Sequence, residues 1–129
     1  MASIFTRIIN GEIPCHKLAE DERYLAFLDI NPVRKGHALV IPKREVDKFF
    51  DLPDELLAGI MPFAKRVADK IAKVVPCNRI GVSVVGLEVP HAHVHLIPID
   101  GIYDMDFSRP KVKMSNEEFA ALAAQIREA

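Results

Sequence analysis

With 129 residues, half of them apolar and about a quarter charged, the chain has the composition of a globular protein and the length for one domain over residues 1–129 that needs no disulfide or metal to hold its core. A formal charge of -1, with basic clusters as short as Lys43-Arg44, offers no field for nucleic acid, and nowhere do about eighteen apolar residues run together as a membrane span requires. The first residues show no long apolar core after a basic start, so no secretion signal is expected. Cys15 and Cys77 stand far apart without a Cys-x-x-Cys pair, so a cytoplasmic protein with reduced thiols is expected.

Taken in order, Ile4, Phe5, Ile8 and Ile9 recur at helical spacing up to the Asn10-Gly11 turn, which predicts a short helix laid on the core. Pro14 stops it. Cys15 to Glu20 and Tyr24 to Ile30 read as two strands of a hairpin joined by a polar turn. After the loop Val33-Arg34-Lys35-Gly36, the apolar run from His37 to Pro42 reads as a buried third strand. From Pro53 to Val75 the pattern is a core-facing helix, with proline first, acids in its first turn and a stripe from Leu56 through Ile60, Ala64 and Val67 to Ile71. Pro62 interrupts it, and a kink is expected there. Arg79 to Val85 and His91 to Ile99 read as an antiparallel hairpin. Residues 102–129 form a C-terminal extension: an irregular stretch, then a helix opened by the capping box Ser115-x-x-Glu118. Five strands, one long helix and short terminal helices make an α+β fold with an antiparallel sheet.

The chemistry concentrates in His91-Ala-His93-Val-His95-Leu-Ile-Pro98, which holds three of the chain's five histidines. Alternation along a strand puts the three imidazoles on one face and Ala92, Val94 and Leu96 on the other. A metal site is one reading, but residues four apart on a strand are separated by about 13 Å, too far for one ion to take both His91 and His95. The other reading is phosphorus chemistry without metal. A phosphorus centre bearing negative oxygens is best attacked by a neutral nucleophile, and imidazole supplies one near pH 7. The middle position makes His93 the nucleophile, with His91 and His95 as hydrogen-bond donors or proton carriers.

The triplet resembles the signature of the histidine triad family, His-φ-His-φ-His-φ-φ with φ apolar. Three further stretches share that resemblance: Ile4 to Pro14, Ala26-Phe-Leu-Asp-Ile-Asn-Pro32, and Lys35-Gly-His-Ala-Leu-Val-Ile-Pro-Lys43. The resemblance implies protomers that pair into a homodimer with a continuous ten-stranded sheet. It also implies that His93 attacks the α-phosphate of a nucleotide derivative to form a nucleotidyl-histidine that water hydrolyses. Asp29 and Ile30 then match the segment holding ribose and base, Phe27 an apolar wall, and His37 a fourth recurrent histidine near the site. The implied substrate is a purine nucleotide or a nucleoside phosphoramidate or polyphosphate, with no cofactor.

The chain departs from the family pattern in places. Pro42-Lys43-Arg44-Glu45 puts an acid where many short members carry a histidine, and the zinc-binding cysteine pair near the start is missing, so no structural zinc is expected. The loop before the triad reads Ser83-Val-Val-Gly-Leu-Glu-Val-Pro90, shorter and less polar than usual; Ser83 or Glu88 are the candidates to replace a lost phosphate or ribose contact. The expected function is a metal-independent nucleotide hydrolase, of phosphoramidase or dinucleoside-polyphosphate type. The alternative is a nucleotide-binding protein with little or no turnover; a metal-dependent hydrolase and a dimeric interaction module stand behind these.

Overall fold

The computed structural model describes residues 2–129. Helix α1 (Ile4–Ile9) is followed by strands β1 (Lys17–Glu20), β2 (Tyr24–Leu28) and β3 (Ala38–Pro42). The long helix α2 (Asp54–Val74) leads to β4 (Arg79–Ser83) and β5 (Val94–Ile99), and α3 (Asn116–Glu128) ends the chain. Short 3₁₀ turns at Phe49–Asp51 and Ile102–Met105 were not signalled by periodicity. The strands form one antiparallel sheet in the order β1-β2-β3-β5-β4, which is the α+β architecture expected.

Alternation assigns the two faces. Tyr24, Ala26, Leu28, Ala38, Val40, Val94 and Leu96 turn to the back, where they meet Ile60, Phe63, Val67 and Ile71 of α2 and Phe119, Leu122 and Ile126 of α3. The stripe of α2 forms this interface as its spacing predicts. Pro62 sits on the exposed side of α2, and the helix runs on through it to Val74. The capping box of α3 forms in full, with Ser115 Oγ accepting from the Glu118 amide and Glu118 Oε1 from the Ser115 amide. The front of the sheet is thinner: Leu25, Phe27, Leu39 and Ile41 are covered by Phe5 of α1 with Ile8 and Ile9 beside it.

One strand boundary differs from the periodicity reading in a way that matters. The pairing of β3 with β5 runs from Ala38↔Leu96 to Val40↔Val94 and ends there. Two residues on, the next hydrogen-bonding pair would be Pro42 and Ala92, but proline has no N–H to donate, and the Pro42 carbonyl accepts instead from Nε2 of His91, 2.8 Å away. The Ala92 amide turns to the carbonyl of Val46 at 2.7 Å. His91 and His93 therefore lie just before β5, and only His95 belongs to it. Similarly β4 stops at Ser83, so ten residues (84–93) connect the two strands rather than a tight turn. Among the described residues no helix is long and apolar enough to cross a membrane.

Candidate active site

The site lies on the front face, where the sheet register aligns a row of side chains. Phe27 pairs with Leu39, Leu39 with His95, and His95 with Ser83, so all four occupy one line across four strands. His37, one alternation before Leu39, and Asp29, one after Phe27, extend the front face next to it. The turn into β3 depends on Gly36, which takes φ +91° and approaches α2 so closely that a Cβ would stand 3.0 Å from Cγ2 of Val75. That turn delivers His37, buried to 1% exposure.

Hydrogen bonds fix which nitrogen of each imidazole carries the proton. The Val33 amide donates to Nδ1 of His37 at 3.1 Å, so the neutral His37 ring bears its proton on Nε2. Nε2 lies 2.9 Å from Nδ1 of His95 and donates to it. His95 is thereby left with its own proton on Nε2. Burial first, and the neighbouring positive charges after it, lower His37 and His95 from 6.5 to about 4, so both rings are neutral at pH 7. His93 is oriented differently: its Nδ1–H donates to the His91 carbonyl at 2.7 Å, which in the neutral ring leaves the lone pair on Nε2. No hydrogen bond among the described residues engages that Nε2, and no buried side-chain nitrogen or oxygen there lacks a partner. It opens to the cavity that His93 lines. The ring of Phe5 meets His93 edge-on, centroids 5.1 Å apart at 87°, and holds it from behind.

His91 does not reach that cavity. Its Nε2–H donates to Pro42, so Nδ1 accepts, and the donor is the Ser3 hydroxyl at 2.8 Å. Ser3 is also the N-cap of α1, its Oγ accepting from the Thr6 amide at 3.0 Å. Glu45 completes the cluster: Oε1 accepts from the Ser3 amide at 2.7 Å and from the Thr6 hydroxyl at 2.6 Å. These two bonds, the backbone one first, hold its carboxyl below the usual range. The acid that departs from the family pattern thus ties α1 down beside His91, whose own carbonyl orients His93. Burial pushes His91 down as well.

A cavity of about 440 Å³ opens in front of His93 and His95. Phe27, Asp29, Ile30, His37 and Glu88, picked out from the sequence, all line it; Ser83 does not, although it sits across from His95. Ile4, Ile8, Ile13 and Leu87 make part of the lining apolar, as in most ligand cavities. Asp29 commits Oδ1 to the Asn31 amide at 2.8 Å and leaves Oδ2 3.6 Å from Nε2 of His37. Three wall residues carried no signal as site members: Phe5, Phe107, whose ring stands 4.8 Å from His95, and Lys111. Phe5 lies in the first stretch of the family resemblance; the other two fall in the segment without periodicity.

Asp29, His37 and His95 bring one ligand atom each within 4.8 Å of one another, a donor set that zinc accepts. The Val33 amide opposes this use. Occupying Nδ1 of His37, it forces the proton onto Nε2, the atom that a shared ion would need. Coordination there would break the Val33 bond and leave a buried amide unpaired, at a cost of about 1–3 kcal/mol.

Comparison with known proteins agrees with this geometry. Residues 10–102 match the model of the HIT domain. Adenosine 5'-monophosphoramidase hnt1 of Schizosaccharomyces pombe is 41% identical over 131 residues, covering 98% of this chain and 96% of the relative. Among solved structures, a Hit-like protein involved in cell-cycle regulation from Bartonella henselae superposes with a TM-score of 0.85 at 30% identity, covering 98% of this chain and 94% of that one. A Zn-bound histidine triad family protein from Mycobacterium smegmatis gives 0.83 at 26% identity, covering 99% and 92%. The chain belongs to the histidine triad family.

Proposed function

We propose that this protein hydrolyses nucleotide derivatives at the α-phosphate through a covalent nucleotidyl intermediate on His93. The observation that carries the reading is the orientation of His93: Nδ1–H is pinned to the His91 carbonyl while Nε2 faces the cavity. In the first half-reaction the Nε2 lone pair forms a bond to phosphorus and the bond to the leaving group breaks. Water then attacks the same phosphorus, the P–N bond breaks, and its electron pair returns to His93. Nε2–H of His95 donates a hydrogen bond to the departing atom, in the tautomer that His37 and Val33 impose; a departing nitrogen takes its proton from solvent, and the attacking water returns one. Ile30 and Phe27 take the base, Asp29 and Glu88 the ribose. Ser83, outside the cavity lining, has no assigned contact.

The name of the fission-yeast relative, adenosine 5'-monophosphoramidase hnt1, supports a purine nucleoside phosphoramidate as substrate. No metal enters these steps. The reading carries a homodimer too: β4 is an edge of the sheet, and Val82 on it stays exposed, as do Ile102 and Tyr103 of the turn that packs on β5. A second reading, binding with little turnover, is favoured by the apolar loop Val84-Val-Gly-Leu-Glu-Val89, which brings few polar groups to a phosphate.

The test is rapid quenching of enzyme mixed with adenosine 5'-phosphoramidate, followed by intact-mass measurement without acid. An adduct of one nucleotidyl group, formed and lost at the rate of turnover and unchanged by chelator, is the expected result. Thermal stabilisation by nucleotide without adduct or turnover would leave only the binding reading. A smaller expectation attaches to Glu45. Glu45→Ala frees the start of α1 and lets the His91 to Pro42 region drift, so kcat should fall about tenfold with KM nearly constant, and the melting temperature should drop by several degrees. Steady-state kinetics and a thermal melt check both; Glu45→Gln, which keeps an acceptor oxygen, should lie between.

A further inference from the structure

We infer that Lys111 selects substrates by the charge of the group that leaves phosphorus, favouring leaving groups that are themselves phosphates; this deepens the hydrolase reading above and rests on it. The two substrate classes of that reading differ in what the first step needs. When a P–N bond breaks, the departing nitrogen takes up a proton, drawn from solvent and returned when water later cleaves the intermediate. When a phosphoanhydride P–O bond breaks, no proton is required, and the electron pair stays on the departing oxygen. That growing negative charge needs a fixed cation.

The cavity wall offers one candidate. Of the residues lining it, only Lys111 is a lysine or arginine, while Asp29 and Glu88 are acids. His37 and His95 contribute no charge at neutral pH, and the Lys111 ammonium is one of the reasons His37 stays unprotonated. Lys111 is engaged in none of the ion pairs among the described residues. Its one hydrogen bond goes to the Phe107 carbonyl at 2.5 Å. Phe107 in turn packs edge-on against His95, the ring that addresses the departing atom. Lys111 therefore stands on the leaving-group side of the cavity.

The segment that carries it is tied in place. Asp104 pairs with Arg34 of the loop before His37 and accepts from Arg109 at 2.7 Å. Arg109 lies over the Tyr103 ring, 4.3 Å from its centre, and the Val112 amide donates to the Pro32 carbonyl at 2.8 Å. A cation on an anchored support gives more discrimination than one on a free tail, because less conformational freedom is lost on binding.

The experiment compares kcat/KM for a dinucleoside triphosphate and for adenosine 5'-phosphoramidate in wild type, Lys111→Met and Lys111→Arg. Loss of a charge-assisted contact predicts that Lys111→Met shifts the ratio of the two values by about 10- to 100-fold against the triphosphate, and that Lys111→Arg restores most of it. Added salt should depress the triphosphate value in wild type more than in Lys111→Met. An unchanged ratio, whether both activities fall together or neither does, overturns the inference and leaves the hydrolase reading intact. Wild type that cleaves neither substrate, or a His93→Ala variant as active as wild type, defeats that reading and the inference together.

Discussion

His93→Ala is expected to lower kcat for any nucleotide substrate by on the order of 10⁴-fold or more, the scale seen when a covalent nucleophile is removed from a working site. The fold should tolerate the change. His93 uses one ring nitrogen for a single bond to the His91 carbonyl and is supported laterally by Phe5, while the back core from Val94 onward is untouched. Binding should also persist, since base and ribose contacts come from Phe27, Asp29 and Ile30. The matching measurement is a nucleoside monophosphate titration of the variant followed by thermal shift: retained stabilisation with turnover lost separates chemistry from binding. Substantial residual turnover would mean that phosphorus is attacked by water directly, and the covalent route would have to be abandoned.

The second large effect concerns His37, which in this reading touches no substrate. It is a positioning residue, holding the proton of His95 on Nε2 through the chain from the Val33 amide. His37→Phe fills the space but supplies no N–H to His95, so that ring is free to turn or switch tautomer. A loss in kcat of about 10²-fold is expected, the scale of losing one positioned hydrogen-bond donor to developing charge. His37→Gln can offer an amide N–H to His95 and a carbonyl to Val33, and should recover much of that loss; equal defects in both variants would sink the tautomer argument.

The same residue predicts a pH signature that simple packing would not. His37 and His95 titrate at about 4 in the folded protein against about 6.5 when unfolded. Above 6.5 neither state binds the proton, and stability is at its maximum with respect to these groups. Between 6.5 and 4 the unfolded chain takes up protons that the native protein refuses, so stability falls as pH falls through that window and levels off below it. The melting temperature of wild type should decline by several degrees across the window, and more shallowly in His37→Phe.

Much of this is legible in the sequence. Strict alternation of histidine with Ala92, Val94 and Leu96 announces one chemical face and one core face; the core face forms as expected, while His93 and His95 reach the cavity and His91 does not. The stripe on α2 and the Ser115 box on α3 are local patterns that tertiary packing had no reason to override. What could not be read was set by distant partners. That His91 leaves the strand follows from a proline 49 residues earlier in the chain, which no window around the triad contains. The role of Glu45 depends on Ser3 and Thr6, 42 and 39 residues before it. Phe107 and Lys111 belong to a segment whose shape comes from the Arg34, Asp104 and Arg109 charges, not from periodicity. Ser83 precedes the triad loop in sequence, and register puts it in the same row as His95 but on the edge strand, outside the cavity lining.

The unequal thickness of the two layers bears on how such a protein can change over generations. Cohesion resides behind the sheet, between α2, α3 and the strands, whereas recognition resides in front, under a six-residue helix and irregular loops. Exchanges among Ile4, Ile8, Leu87 or Lys111 remove little buried surface, so selection can retune the ligand without approaching the threshold of unfolding. Divergent chemistries could then descend from one ancestor while its scaffold stays almost unaltered.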